Sequence, residues 1–382
     1  MKKALSLIAA LVLSVSMLAG CGGSSQQTES TSTQTEAESS AEAAESTGET
    51  ETAAAETESA AAEVSTAETE NTEAETAAAA EETDVRVMAL KGPTAMGMVQ
   101  LMDTAEAGPV NGNSYTFTIA ASADEVTPKL VQGEADIAAV PANLASVLYN
   151  NTEGQVQVLA INTLGVLYIV ENGDTVQSVS DLSGKTIYAS GKGSTPEYAL
   201  NYILSANGID PETDVTIEWM SEHSECVASL ASDENGIAML PQPFVTTAQT
   251  QNENLRVALD LTKEWDALQA DAETPSALLT GVVVVRTAFA QEHPEAVSAF
   301  LDSYRESVDY VNANVSEAAA LIEKYDIVKA AVAEKALPYC NITFIEGNEM
   351  KEKLSGYLNV LYEQNPASVG NTLPADDFYY IR

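Results

Sequence analysis

From residue 85 onward the sequence predicts an α/β protein with mainly parallel sheets. Three observations carry that expectation. Short β-branched or aromatic runs alternate with amphipathic runs of helix length. Several strand runs end in glycine or proline and open directly into a helix, as at 190–196. The stretch Gly281–Val285 is apolar throughout, the composition of a strand buried in a sheet.

The elements follow in order. Residues 85–90 form a strand, Lys91-Gly92-Pro93-Thr94 breaks it, and a helix covers 95–105. Asn111-Gly112-Asn113 marks a turn, 115–121 alternates as a strand, and 124–132 is a short helix ending at Gly133. Residues 136–140 form a buried strand closed by Pro141, where Pro141-Ala142-Asn143 opens a helix over 142–150. Strands follow at 156–161 and 167–171. A turn at Leu182-Ser183-Gly184 leads to a strand over 185–189 and then to Gly191 and Gly193. The next helix, 196–206, has a well-marked start. Ser194 or Thr195 caps it, Pro196 suits its first position, and Glu197 sits at the positive end of its dipole. Strands at 215–220, 236–240 and 255–261 alternate with helices at 222–231 and 243–251. After 281–286 the chain is mostly helical, at 294–313, 316–325, 328–336 and 347–363.

In mainly parallel sheets a ligand sits beyond the carboxyl ends of the strands, where helix starts present unpaired N–H groups. Four such ends stand out: Lys91–Thr94, Pro141–Asn143, Gly193–Thr195 and Pro241–Pro243. The candidate ligand contacts are therefore Lys91, Gly92, Pro93, Thr94, Pro141, Ala142, Asn143, Gly193, Ser194, Thr195 and Gln242. Lys91 and Lys192 stand beside glycine turns and either point to solvent or face the ligand; in the second case the ligand is anionic.

The N-terminus carries a separate message. Lys2 and Lys3 precede an apolar run, Ala4–Leu18, which is too short for a comfortable membrane span and ends in Leu18-Ala19-Gly20-Cys21. That order matches the lipobox of bacterial lipoproteins, with Cys21 as the lipidated residue. Residues 22–84 are a Ser/Thr/Ala/Glu tract with 17 acidic residues and no Lys or Arg, read as a disordered tether. The whole chain has 57 acidic and 17 basic residues, so the part beyond the tether carries about −25, which argues against nucleic acid as a partner.

Catalysis finds little support. Only His223 and His293 exist, and both read as solvated surface residues. There is no nucleophile elbow, phosphate-binding loop or zinc-protease motif. Cys226 and Cys340 lack metal-site spacing; buried free thiols are the default and a bridge between them is the alternative. Tyr168, Tyr198, Trp219 and Trp265 suit a core better than an aromatic ligand. Arg286 is expected to pair with an acidic neighbour. No metal or cofactor is expected.

Three segments carry a resemblance: Gly-Glu-Ala-Asp-Ile-Ala-Ala-Val-Pro-Ala at 133–142, Asp-Leu-Ser-Gly-Lys-Thr-Ile at 181–187, and 281–297 with its strand and following helix. With the lipobox and tether, the chain resembles the solute-binding proteins of ABC importers, in the group serving nitrate, sulfonates, taurine and thiamine-pyrimidine precursors. The resemblance implies a two-lobed periplasmic-binding-protein-like fold of type II. Lobe one would be 85–178 and 282–382 and lobe two 179–281, with crossovers near Asn172–Ser180 and Thr274–Gly281. It also implies a monomeric, non-enzymatic receptor that is lipid-anchored on the extracytoplasmic face. Its ligand would be a small polar organic molecule, with an anionic sulfonate-like compound as the example the resemblance offers, and its partner the permease subunits. A surface adhesion or signalling lipoprotein of the same fold is the alternative, and an exported enzyme the second. Gln242 departs from the acidic residue that many relatives carry before the proline, which removes a negative charge from the cleft.

Overall fold

The computed structural model describes residues 82–272 and 276–382. Cys21, the signal segment, the tether up to residue 81 and Thr274 lie outside the described residues. The strands are β1 Thr83–Leu90, β2 Asn113–Ala120, β3 Ile137–Pro141, β4 Val156–Leu164, β5 Leu167–Asn172, β6 Thr186–Ser190, β7 Thr216–Met220, β8 Ile237–Pro241, β9 Leu255–Asp260, β10 Leu279–Arg286 and β11 Ile342–Ile345. The helices are α1 Pro93–Met96, α2 Val99–Ala105, α3 Ala123–Val131, α4 Ala142–Asn151, α5 Thr195–Ala206, α6 His223–Ser232, α7 Phe244–Gln251, α8 Leu261–Gln269, α9 Thr287–Glu292, α10 Pro294–Ala313, α11 Val315–Lys324, α12 Ala330–Ala336 and α13 Gly347–Gln364.

They build two sheets, one of six strands ordered β11-β4-β10-β3-β1-β2 and one of five ordered β7-β6-β8-β5-β9. The fold is α/β and two-lobed, but the sheets are mixed rather than mainly parallel. β1 runs parallel to β2 and β3, and β6 to β7 and β8. The pairings β10–β3, β10–β4, β11–β4, β5–β8 and β5–β9 are antiparallel. Parallel neighbours require a crossover, usually helical, whereas β4 passes into β5 through Gly165 and Val166 alone.

That link corrects the first crossover. β5 belongs to the second sheet, so the chain changes sheets between Leu164 and Leu167 rather than near Asn172–Ser180. The return falls between α8 and β10, close to the expected second crossover. At the first link the backbone passes so near α8 that a Cβ on Gly165 would meet Thr262, with Cβ and Cγ2 at 3.1 Å and the hydroxyl closer still. Glycine is required there by space.

Other departures have local causes. The helix expected over 95–105 breaks at Gly97 and Met98, where Ser307 Oγ donates to Gly97 O at 2.7 Å and accepts from Leu101 N at 3.1 Å. The sequence reading missed α8, whose start is capped by Asp260 Oδ1 accepting from Thr262 N and Lys263 N. It also missed α9 and β11.

The core runs through both lobes. Trp265 of α8 lies between Tyr202 of α5 and Tyr357 of α13, with ring centroids 4.6 and 5.5 Å away. Away from the strands' cleft ends, Asp136 is buried and clamped by Arg86 and Arg286, with Oδ1 2.7 and 2.6 Å from their guanidinium nitrogens. Arg286 thus pairs as expected. Burial alone would raise the Asp136 carboxyl, but the hydrogen bonds from Arg86 and Arg286 outweigh it and hold its pKa below the ordinary value. Both described cysteines are free and buried. Among the described residues no helix is long and apolar enough to cross a membrane, and no cluster of metal-ligating side chains occurs.

Candidate functional site

At the carboxyl ends of β1 and β3 the first lobe assembles a polar floor. Gly281 of β10 faces Pro141, and its missing Cβ leaves room for Asn162 Oδ1 and Thr94 Cγ2, each 2.6 Å from where that atom would stand. Thr94 Oγ1 donates to Leu90 O at 2.8 Å and Asn162 Nδ2 donates to Thr94 O at 3.2 Å. Thr163 Oγ1 donates to Asn162 Oδ1 at 3.2 Å. Thr94, Asn162 and Thr163 are all buried.

The starts of α4 and α5 meet across the lobes. Neither helix has a side-chain cap, so first-turn N–H groups remain unpaired by the usual device. Thr195 Oγ1 donates to Asn143 Oδ1 at 3.3 Å and accepts from the Tyr357 hydroxyl at 3.2 Å. Asn143 Nδ2 donates to Ser368 O at 3.0 Å. All four residues of this chain are fully buried. Asn143 and Thr195 are therefore brought together, but each is bonded to the other rather than left open.

In the second lobe, Gln242 follows β8 and its N–H donates to Val166 O of the interlobe link at 3.1 Å. Its Oε1 accepts from Thr246 N at 3.3 Å and from Thr246 Oγ1 at 2.9 Å. The amide was expected to offer both a donor and an acceptor; the acceptor is occupied within α7. Beside it, the His223 ring packs on Phe244 with centroids 5.0 Å apart, and its Nδ1 forms a short hydrogen bond with Ser190 Oγ at the carboxyl end of β6. Burial pushes the His223 pKa down to about 4, so the ring is neutral at pH 7. The residue is half-buried, packed on Phe244 and joined to Ser190, which corrects the expectation of a solvated surface histidine.

Other candidates stand apart from this cluster. Lys91 is exposed and pairs with Asp326 at 3.6 Å, and Lys192 is exposed. Gly193 N donates to Glu197 Oε2 at 2.6 Å, so that amide is already paired, while Ser194 Oγ donates to Gly191 O at 2.8 Å. Gly92, Ala142 and Pro141 line the turns beside Thr94 and Asn143, and Pro93 begins α1. Trp265 is core. Two surface cavities lie off the cleft. One, of about 330 Å³, is lined by Gly133, Gln155 and Arg286, and the other, of about 500 Å³, by Tyr202, Gln269 and Asn359. Neither includes Thr94, Asn143, Asn162, Thr195, His223 or Gln242.

The sequence reading passed over Asn162, Thr163 and Ser190, and discounted His223 as solvated. Ser190 and His223 were within reach of its own rule, since one ends β6 and the other opens the helix after β7. Asn162 and Thr163 lay in a stretch read as a connection, which the structure makes part of β4.

The comparisons with known proteins agree with this architecture. The sequence profile of the family described as "ABC transporter, phosphonate, periplasmic substrate-binding protein" matches residues 101–336. An ABC transporter structure from Parabacteroides distasonis superposes with TM-score 0.65 at 22% identity, covering 78% of this chain and 99% of that one. The periplasmic aliphatic sulphonate binding protein of Escherichia coli gives TM-score 0.60 at 16% identity, with 76% and 96% covered. The periplasmic nitrate-binding protein of Synechocystis PCC 6803 gives 0.51 at 14% identity, with 66% and 70% covered. No curated protein matches the sequence. With the profile spanning more than half of its length, the chain belongs to the phosphonate-type periplasmic substrate-binding proteins of ABC transporters, a family of transport receptors rather than enzymes.

Proposed function

We propose that this protein captures a small oxyanion of the phosphonate or sulfonate kind between its lobes and delivers it to the permease of an ABC importer. It does so as a monomer, held to the outer face of the membrane by a lipid on Cys21. The observation that carries the ligand reading is the convergence of neutral polar groups from both lobes at the strand ends, with Asn143 and Thr195 3.3 Å apart. The contacts are Thr94, Asn162 and the first turn of α4 from lobe one, and His223 and Gln242 from lobe two. Asn143 and Thr195 form the pair that meets when the lobes are closed. Neutral donors and helix starts suffice for an oxyanion, because partial charges on unpaired N–H groups stabilise it without a lysine. The sulphonate and nitrate receptors of similar fold take ligands of the same charge type.

Thermal denaturation with methylphosphonate, ethanesulfonate and nitrate tests the reading. A ligand at 100 times its Kd is expected to add about 2.7 kcal/mol of stability and raise Tm accordingly. No rise with any of them at millimolar concentration refutes it. For the anchor, Cys21→Ser is expected to move the protein from the membrane to the soluble fraction; unchanged fractionation refutes lipidation at that residue.

A further inference from the structure

The hydrogen bonds that join Thr195 to Asn143 begin and end in one C-terminal segment. The Tyr357 hydroxyl of α13 donates to Thr195, Thr195 donates to Asn143 Oδ1, and Asn143 Nδ2 donates to the carbonyl of Ser368. Ser368 lies in a short 3₁₀ helix, Pro366–Val369, that follows α13, and its hydroxyl donates back to Leu361 O of α13 at 3.2 Å. The Ser368 carbonyl also fixes the direction of the series. A carbonyl only accepts, so the Asn143 nitrogen must face it, and the amide oxygen is left facing Thr195 in lobe two.

The same segment is seated on α4 by a stripe of side chains. Asn143, Ser146 and Asn150 recur at i, i+3 and i+7, on one face of the helix. Ser146 Oγ donates to Val369 O at 2.8 Å, and Asn150 Nδ2 donates to Val369 O at 2.8 Å and to Thr372 O at 2.7 Å. Asn143 and Ser146 are fully buried, and buried polar groups are costly unless bonded, so this face of α4 depends on the carbonyls laid against it. The approach is close. Gly370 takes a φ of 88°, and a Cβ there would stand 3.0 Å from the Asn150 side chain and 3.2 Å from Val147 Cα. Farther along, Gln157 Nε2 donates to Asp377 O at 2.8 Å and Tyr380 N to Val158 O at 2.9 Å, which ties the far end to β4.

We propose that residues 366–372 form a strap that positions Asn143 for lobe two, so that seating of the strap on α4 and closure of the lobes are one cooperative event. Ser146 and Asn150 are positioning residues, acting on the lobe contact through the strap. When the strap lifts, Asn143 loses the carbonyl that orients it and Thr195 loses a fixed acceptor. When the lobes part, the Asn143 amide is free to turn, and the strap loses a bond at Ser368. The coupling is a property of the chain itself and holds whatever ligand the cleft takes.

Trp265 reports on the contact, because its fully buried ring lies against Tyr357. The chain's other tryptophan is Trp219, so Trp219→Phe leaves a single emitter. Acrylamide quenching of the full-length, ligand-free protein then reads how often the lobes part. Asn150→Ala removes both of that side chain's bonds to the strap, at a point roughly 10 Å along α4 from Asn143. It is expected to raise the quenching constant by about 2- to 10-fold, the range for one hydrogen bond lost. Thr195→Val is expected to act in the same direction, and the two together no more strongly than the larger alone. A strap that served local packing only would leave Trp265 unaffected, or its effect would multiply with that of Thr195→Val, as changes at independent sites do. Gly370→Ala lifts the strap from its own side and should reproduce the Asn150→Ala result, which keeps the test decisive if one variant fails to fold. Unchanged quenching in the folded variants, or effects that multiply, overturns the coupling. No ligand enters the measurement, so either outcome leaves the oxyanion reading to its own test.

Discussion

Thr195→Val tests the contact between the lobes. Valine keeps the shape of threonine and removes the oxygen that accepts from Tyr357 at 3.2 Å and donates to Asn143 at 3.3 Å. Both partners are fully buried, so neither the Tyr357 hydroxyl nor Asn143 Oδ1 can turn to water while the lobes stay closed. Each orphaned group costs about 1–3 kcal/mol, and the added methyl returns roughly 0.8 kcal/mol of apolar burial. The closed form is therefore expected to lose about 2–4 kcal/mol. In an open form water would satisfy both groups, so part of the loss should appear as opening. Urea denaturation followed by circular dichroism measures the stability and small-angle scattering the radius of gyration. A coupled cycle with Asn143→Ala should show non-additivity of at least about 0.5 kcal/mol. A stability change below about 0.5 kcal/mol with unaltered scattering would refute the argument that this chain of hydrogen bonds holds the lobes together.

Three further outcomes are expected. Asp136→Asn leaves two guanidinium groups without their carboxylate and should cost about 2–4 kcal/mol by denaturant titration, less than a fully enclosed pair because Arg86 is half-exposed. The Asp136 pKa is depressed by folding, so its contribution is present above about pH 4 and is lost as pH falls through the lower folded value; the acid limb of a stability profile should flatten in the variant. His223 gives the same sign through a different cause, burial: the unfolded chain takes up its proton near pH 6.5 and the folded one only near pH 4, so Tm should rise with pH across that window, and His223→Gln should remove that part of the slope. Gly165→Ala places a Cβ against Thr262 and should destabilise by about 1–3 kcal/mol, with Thr262→Ala restoring part of the loss; an unchanged midpoint in the single variant would contradict the close approach.

The alternation of strands and helices was legible because burial imposes a period on each element, and α4, α5 and β8 begin or end within a residue or two of their expected places. Strand direction was not legible, because β4 and β10 read the same in either orientation; only their partners make them antiparallel. The helix α8 escaped because its apolar face is sparse, with Leu261 and Trp265 as its buried anchors and a cap that only the folded Asp260 reveals. At the site, position after a strand correctly brought Thr94, Asn143, Thr195 and Gln242 to the ends of their sheets. Side-chain direction was the missing quantity. Lys91 occupies the same kind of turn as Thr94, yet it extends to Asp326 at the surface. His223 was discounted for its acidic neighbours in sequence, Glu222 and Glu225, whereas its actual surroundings are Ser190 and Phe244. A rule based on chain position finds the ring of strand ends but not which members turn inward.

The link at Gly165 and Val166 has a mechanical consequence. The carbonyl of Gly165 accepts from Asn341 Nδ2 of the first lobe at 2.5 Å, and the carbonyl of Val166 accepts from Gln242 N of the second at 3.1 Å. Adjacent peptide groups are thus bolted to different bodies, and the pin between them is no longer than one residue. Such a joint cannot stretch; it can only turn, so the separation of any two points across the molecule grows with their distance from it. Gln242 sits at the axle, where a small rotation leaves its position nearly fixed, while the outer ends of the sheets sweep the widest arc. On the proposed reading, a ligand held beside Gln242 sets that angle, and the rim magnifies it.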